Sequence, residues 1–349
     1  MIEQKGINGW RPSRALHRYA VFVAFLTGVL LLAGALVTGN EAGDSVPDWP
    51  LSFGRWLIHS DNFVANVRYE YSHRFIAGMV GIATFILAVW VWRADRRRWV
   101  KRLAVIAFAG VFAQAIVGGV RVLLASYMPV STVKAIVAVP HALIAQSFFA
   151  VIVSIAVFTS RSWFAPKESK TDASGLSLRK LVVFSVAAVL IQLVLGAGFR
   201  HLAFGIIPHA VGALAVTVLI AWTAMTVLKR NHDDAYLARP AVIALALLVI
   251  QLLLGVLAYI FRMASAGEPV KNIAGFFNSM TLAAIEKYNE VQPVEPTISL
   301  TAAHLVVGAL TLATLIVLAL RAYRVIQPAR AVQTLEQKTL GSSPQRATV

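Results

Sequence analysis

Eight apolar runs, each near the ~20 residues a helix needs to cross a bilayer, decide what this chain can fold into. They are roughly Tyr19–Gly39, Tyr71–Trp92, Leu103–Leu124, Ala135–Phe158, Lys180–Phe199, Ile206–Leu228, Pro240–Phe261 and Ser299–Leu320. Of 349 residues, 58% are hydrophobic and 14% charged, with a mean hydropathy of +0.72. A soluble domain is about 45–50% apolar and about 25% charged. The expected fold class is an all-α integral membrane protein with eight transmembrane helices. The first run is too long for a signal-peptide core and lacks a clear cleavage site, so it is read as the first span.

An even number of spans puts both termini on one side. Most of the 32 Lys and Arg residues fall in the N-terminus, the even-numbered loops and the tail. The positive-inside rule makes that side the cytoplasm, in a bacterial inner membrane. The net charge of +16 is therefore a signal of topology, with the lipid bilayer as partner and no nucleic acid. The absence of cysteine excludes disulfides, zinc–thiolate sites, iron–sulfur clusters and covalent c-type haem attachment.

The chain repeats internally. Gln114 to Gly118-Gly119-Val120-Arg121 ends the third run, Gln192 to Gly196-Ala197-Gly198-Phe199-Arg200 the fifth, and Gln251 to Gly255 the seventh, with Arg262 seven residues on. Each precedes a span that opens on a histidine: Pro140-His141-Ala142, Pro208-His209-Ala210 and Ala303-His304-Leu305. The second span opens likewise, on Glu70-Tyr71-Ser72-His73-Arg74. The first carries Gly34 and Gly39 but no matching glutamine. The chain thus divides into four helix pairs in two similar halves, residues 1–160 and 179–326. Residues 161–178 form a polar cytoplasmic linker and 327–349 a disordered cytoplasmic tail. The first outer loop, Asn40 to Tyr69, is long enough to cover a site. The last, Arg262 to Thr297, holds a segment, Ile273 to Tyr288, suited to an interfacial helix.

Every even span runs from outside to inside, and His73, His141, His209 and His304 each lie a few residues into one. At 1.5 Å rise per residue all four sit within about 10 Å of the outer boundary. Ionisable groups at such a place are functional candidates by default. Zinc would want a third protein ligand, and copper a nearby methionine or cysteine. Haem iron asks for one or two axial ligands in an apolar cleft, which a helix bundle supplies. Two histidines per half fit one bis-imidazole haem per half. Arg74, Arg121, Arg200 and Arg262 lie at outer helix ends, where each could pair with a haem propionate or reach for lipid head groups.

Taken together, Val37-Thr38-Gly39, Gly43, Pro47-Asp48-Trp49-Pro50-Leu51, Glu70-x-x-His73-Arg74-Phe75 and Gly118-Gly119-x-Arg121 resemble the haem A synthase, or cytochrome oxidase assembly, family. The resemblance covers nearly the whole membrane region, and Glu-x-x-His-Arg is its most specific part. It implies two pseudo-symmetric four-helix bundles and oxidation of a ring methyl of haem O to the formyl of haem A, for aa3-type terminal oxidases. It implies that His73 and His141 embrace the substrate haem, that His209 and His304 ligate a haem b cofactor, and that Glu70 is catalytic. Some bacterial members carry cysteine pairs in the outer loops; this chain has none, so no thiol hand-over operates here.

The halves differ as that chemistry asks. Ile206 and Thr301 stand where Glu70 stands before His73, and only a C–H oxidation needs a group to take a proton or stabilise positive charge. A salt bridge from Glu70 to Arg74 or Arg68 is the plain structural alternative. A di-haem b-type electron-transfer cytochrome would account for the histidines but leaves Glu70 without a purpose. A haem carrier would use the outer sites only to pass haem on. A haem O synthase, an electron acceptor and a homo-oligomer are the partners such an enzyme would have.

Overall fold

The computed structural model describes residues 10–129, 133–165, 167–171, 177–201, 203, 205–265 and 295–327. Among these are eight helices long and apolar enough to cross a membrane: α1 (Arg14–Gly39), α2 (Val67–Ala94), α3 (Arg98–Leu124), α4 (Val139–Thr159), α5 (Leu178–Arg200), α6 (Ile206–Asn231), α7 (Ala235–Ser265) and α8 (Glu295–Val325). The protein is all-α and multi-pass. The segment Ile273 to Tyr288 and the tail beyond Gln327 lie outside the described residues.

Several helices run past the apolar stretches that predict them, because hydropathy marks only the part that meets acyl chains. The clearest case is α7, which starts at Ala235 and carries Pro240 inside it. Proline cannot bond the carbonyl four residues back. That carbonyl, Tyr236 O, instead accepts a hydrogen bond of 2.9 Å from Arg321 on α8. In α4 the same problem at Pro140 is met by a π turn, Lys134–Ala138, immediately before the helix. Hydroxyls within the spans also find local partners, as hydrocarbon requires. Thr27, Thr217 and Thr311 each donate to the carbonyl one turn back at 2.7–2.8 Å.

α1 packs on α2 and α4, and α3 on the same two; α5 packs on α6 and α8, and α7 on the same two. Leu87 and Ile152 are buried among the first four helices, and Ile220 and Leu315 among the last four. The two sets also meet, where α1 and α4 touch α8 and where α4 touches α5. Leu31, Phe149, Ala309 and Ala313 fill that seam. On the opposite face from the histidines, the connection between the halves forms a helical turn, Arg161–Phe164, and a two-residue strand β1 (Lys170–Thr171), paired in parallel with β2 (Ile326–Gln327). Arg324 donates to Ser162 O at 2.6 Å and to Ala165 O at 2.5 Å. Lys167 and Lys170 approach Asp234 within 3.5 Å and 3.4 Å. Burial alone would push the Asp234 carboxyl up, but the Tyr236 amide and these two lysines hold it below the usual range. The segment read as a plain linker is therefore tied to the second half at several points.

Candidate functional site

Each of the four span histidines lies against a glycine of the preceding span. A Cβ placed on Gly34 would come within 3.1 Å of Cε1 of His73, and one on Gly118 within 3.2 Å of His141. The same test gives 2.8 Å from Gly196 to His209 and 2.9 Å from Gly255 to His304. Real Cβ atoms almost never approach as closely as at Gly196 and Gly255, and at Gly34 and Gly118 the ring would have to give by a few tenths of an ångström, so each ring sits where glycine leaves room. The repeat seen in the sequence is thus a repeated imidazole seat, one in each helix pair.

In the second half two of the rings come together: His209 and His304 have centroids 6.3 Å apart and planes at 78°. In the first half His73 and His141 sit at the matching positions, against Gly34 of α1 and Gly118 of α3. Among the described residues no group of three His, Asp or Glu side chains stands close enough to hold a metal ion.

The two halves hold their rings differently. One turn before Gly118, Gly196 and Gly255, and so on the same helix face, stand Gln114, Gln192 and Gln251. The Gln192 amide nitrogen lies 3.0 Å from Nδ1 of His209 and 2.8 Å from its carbonyl. Gln251 presents its amide to Nε2 of His304 at 3.1 Å and its own carbonyl to Nδ1 at 3.0 Å. Gly212 and Gly308 leave room for these two amides. In the first half, Gln114 reaches only the backbone carbonyl of His141, at 2.8 Å. Leu30 stands where α1 would need a glutamine for His73. The Nδ1 atom of His141 is buried with no hydrogen-bond partner, and for His73 the backbone of Leu30 stands in place of a side-chain amide. An imidazole nitrogen left so costs about 1–3 kcal/mol. Sequence reasoning uses the glutamines only as markers of the repeat. Their four-residue spacing from the glycines is the signal that places them at the rings.

Glu70 and the arginines hold the first outer loop. Glu70, 4% exposed, accepts the Ser45 and Val46 amides on Oε2 at 2.8 Å and 2.9 Å. Its Oε1 meets Arg74 at 2.7 Å, the salt bridge named above as the structural alternative. Arg74 also donates to Val46 O, Asp48 O and Leu51 O at 2.7–3.1 Å, so protein carbonyls surround its guanidinium. Arg121 donates to Gly43 O at 2.8 Å and lies 3.4 Å from Asp44. Arg200 crosses from the second half to Thr38 O at 2.6 Å and lies 3.9 Å from Glu41. What these three arginines bond here is loop and helix end, where sequence reasoning offered propionates. Arg262 is buried at the outer part of α7. The Trp49 indole lies directly against Gly119. Asp48 accepts the Phe53 and Gly54 amides, both at 2.7 Å. Burial raises its carboxyl, but those two bonds and Arg74 outweigh it and leave Asp48 below the usual carboxylate range.

The family model for cytochrome oxidase assembly protein (COX15-CtaA) matches residues 17–208, more than half of the chain. The match takes in Glu70, His73 and His141 and stops just before His209. A haem A synthase of Halalkalibacterium halodurans is 28% identical over 169 residues, 48% of this chain and 52% of the relative. One from Geobacillus kaustophilus is 34% identical over 111 residues, covering 31% and 34%. A third, from Alkalihalophilus pseudofirmus, is 32% identical over 141 residues, covering 40% and 45%. The aligned part spans about half the length of these relatives or less.

Proposed function

The chain belongs to the cytochrome oxidase assembly protein family, and from that membership we propose that it acts as a haem A synthase, an oxidoreductase that converts a ring methyl of haem O to the formyl of haem A for aa3-type terminal oxidases. The observation that carries the proposal is the set of four imidazoles, each seated on a glycine, two in each half. Two imidazoles that shared one metal ion, at about 2 Å per bond, would have their ring centroids about 6 Å apart. The 6.3 Å between His209 and His304 fits that requirement. A pair of histidines per half is also what a haem would ask for, since a porphyrin would supply the other ligands of its iron.

In this reading residues 1–160 and 179–326 are pseudo-symmetric four-helix bundles. His209 and His304 hold haem b, which when bound would supply one-electron redox chemistry beside the substrate half. Gln192 and Gln251 stand against those two rings; for Nε2 to bind iron, the Gln192 amide would turn its oxygen to the Nδ1–H of His209 and the Gln251 amide would turn away from Nε2 of His304. His73 and His141 grip the substrate haem O. Their rings lack side-chain tethers, as suits a group that must arrive and leave. Going from methyl to formyl adds one oxygen atom, from water or dioxygen, and takes hydrogen from the methyl carbon as protons and electrons, the electrons leaving to the acceptor or to dioxygen. Glu70 stands three residues before His73 on α2, and its carboxylate would take a proton or stabilise positive charge there. Arg74 and the Ser45 and Val46 amides fix its position. Arg121 and Arg200 would reach propionates only by giving up loop contacts. The setting is the bacterial inner membrane with both termini cytoplasmic. A haem O synthase supplies the substrate, an electron acceptor drains the site, and a homo-oligomer is compatible with the fold.

The test is to express the full chain with a haem O supply and extract the haems. Haem A should form, and Glu70→Gln, which keeps the shape and an acceptor oxygen, should bind haem yet leave haem O unconverted. Haem O recovered unchanged from the unaltered protein would refute the assignment.

A further inference from the structure

The first outer loop carries apolar side chains that no part of the described protein covers. Trp56 is 76% exposed and Leu57 69%, with Phe53, Phe63 and Val64 also open. Exposed apolar groups gathered this way mark a surface that meets something. Their position says what. Phe63 packs edge-on against Tyr71, with centroids 6.3 Å apart and planes at 86°. Tyr71 lies near the start of α2, and at 3.6 residues per turn it shares a face with Phe75, Ile82 and Ile86. Those three are exposed too. On a membrane-crossing helix, a long apolar face that nothing in the protein covers is the face turned to acyl chains. The loop's apolar end therefore hangs beside the top of a lipid-facing stripe.

We propose that Phe53–Val64 is a membrane-dipping finger, whose Trp56, Leu57 and Phe63 enter the head-group–acyl boundary of the leaflet beside α2. The partner is lipid. The backbone is prepared for that setting, where unpaired amides are costly. Ser52 and Arg55 exchange backbone bonds of 2.8 Å and 3.2 Å, Asp48 takes the Phe53 and Gly54 amides, and Asn62 and Phe63 donate to His59 and Ser60 carbonyls at 3.0 Å. Gly54 closes the turn with a φ of +72°, a conformation that favours glycine. The side chains sort as an interfacial element requires. Tryptophan and phenylalanine prefer that depth. Exposed Arg55 suits anionic head groups, and the exposed His59–Asp61 pair, 3.1 Å apart, can remain in water. The root of the finger is the segment gripped by Arg74, so a stiff base carries an apolar tip. None of this depends on the reaction proposed above.

The chain has no cysteine, so one introduced cysteine takes a nitroxide label without a background. Trp56→Cys and Leu57→Cys are labelled separately in the full chain, in phosphatidylethanolamine–phosphatidylglycerol nanodiscs. Collision rates with oxygen and with a water-soluble nickel chelate are then read by electron paramagnetic resonance. Phe75→Cys serves as the lipid reference and Asp233→Cys as the aqueous one. The finger labels should favour oxygen over nickel several-fold more than Asp233→Cys does, approaching Phe75→Cys. A ratio equal to that of Asp233→Cys overturns the proposal. Low collision with both reagents also overturns it, because a second copy or another protein would then cover the tip. Should both cysteine variants fail to assemble, brominated lipid offers a separate reading. It should quench tryptophan fluorescence less in Trp56→Phe than in the unaltered protein, and equal quenching counts against the finger.

Discussion

Alanine at Gly196 gives the sharpest test of the imidazole seats. Its Cβ would sit 2.8 Å from Cε1 of His209, whereas ordinary contact begins at 3.4 Å. The ring, or the α5–α6 spacing, must give by about 0.6 Å, and overpacking of this kind costs about 1–3 kcal/mol. Because His209 is read as an iron ligand, that cost falls on haem retention, at tenfold for every 1.4 kcal/mol or so. Haem b should therefore be held about 5- to 150-fold more weakly. Gly255→Ala, at 2.9 Å from His304, should behave alike. Gly34→Ala and Gly118→Ala, at 3.1 and 3.2 Å, need a smaller shift and should do less. Gly28 supplies the control, since a Cβ there meets nothing within 4 Å. The assay is the haem-to-protein ratio after gel filtration in detergent, with the reduced-minus-oxidised spectrum and midpoint potential of what remains. If Gly196→Ala matches Gly28→Ala in ratio and potential, the glycine does not seat an iron-bound ring.

Further outcomes follow from the same contacts. Glu70→Ala removes the acceptor of two loop amides and unpairs Arg74. Breaking a buried pair costs about 3–5 kcal/mol, and the low end applies because Arg74 keeps its carbonyl partners; limited proteolysis should cut residues 40–66 faster, and unchanged cleavage would contradict the anchoring. Gln192→Leu and Gln251→Leu should each move the midpoint potential of haem b, since a ligating imidazole is tuned by its second hydrogen bond, whereas Gln114→Leu, which touches only a backbone carbonyl, should leave it in place. Asp48 has a lowered carboxyl, so its support of the 48–54 turn is full above its ordinary value of 3.8 and is lost as pH falls through the depressed one. A nitroxide on Trp56→Cys should keep its line shape from pH 8 to 5 and sharpen only below about 4; sharpening between 8 and 5 would be the wrong outcome.

Much of this architecture is legible before any coordinates. Span number follows from run length because hydrocarbon leaves the backbone no alternative to helix. The grouping of the histidines follows from their recurrence at one place in each helix pair. What the sequence hides is which group each polar side chain chooses. Arg74, Arg121 and Arg200 stand at helix ends, where propionate, head group and loop carbonyl are equivalent by composition. Only the path of residues 38–52 shows that carbonyls reach them first. Likewise Gly118 and Gly196 stand in the sequence only as marks of the repeat until the rings of His141 and His209 are seen against them. The extension of α7 past Pro240 is invisible because its remedy, Arg321, lies far along the chain on α8.

The central claim is that the imidazoles work as the pairs His73–His141 and His209–His304. It is tested most directly by replacing each with alanine and recording the low-spin haem b spectrum of the purified protein. His209→Ala and His304→Ala should each abolish that spectrum, while His73→Ala and His141→Ala should keep it. Loss of the same haem in His73→Ala and His209→Ala alike would contradict the pairing.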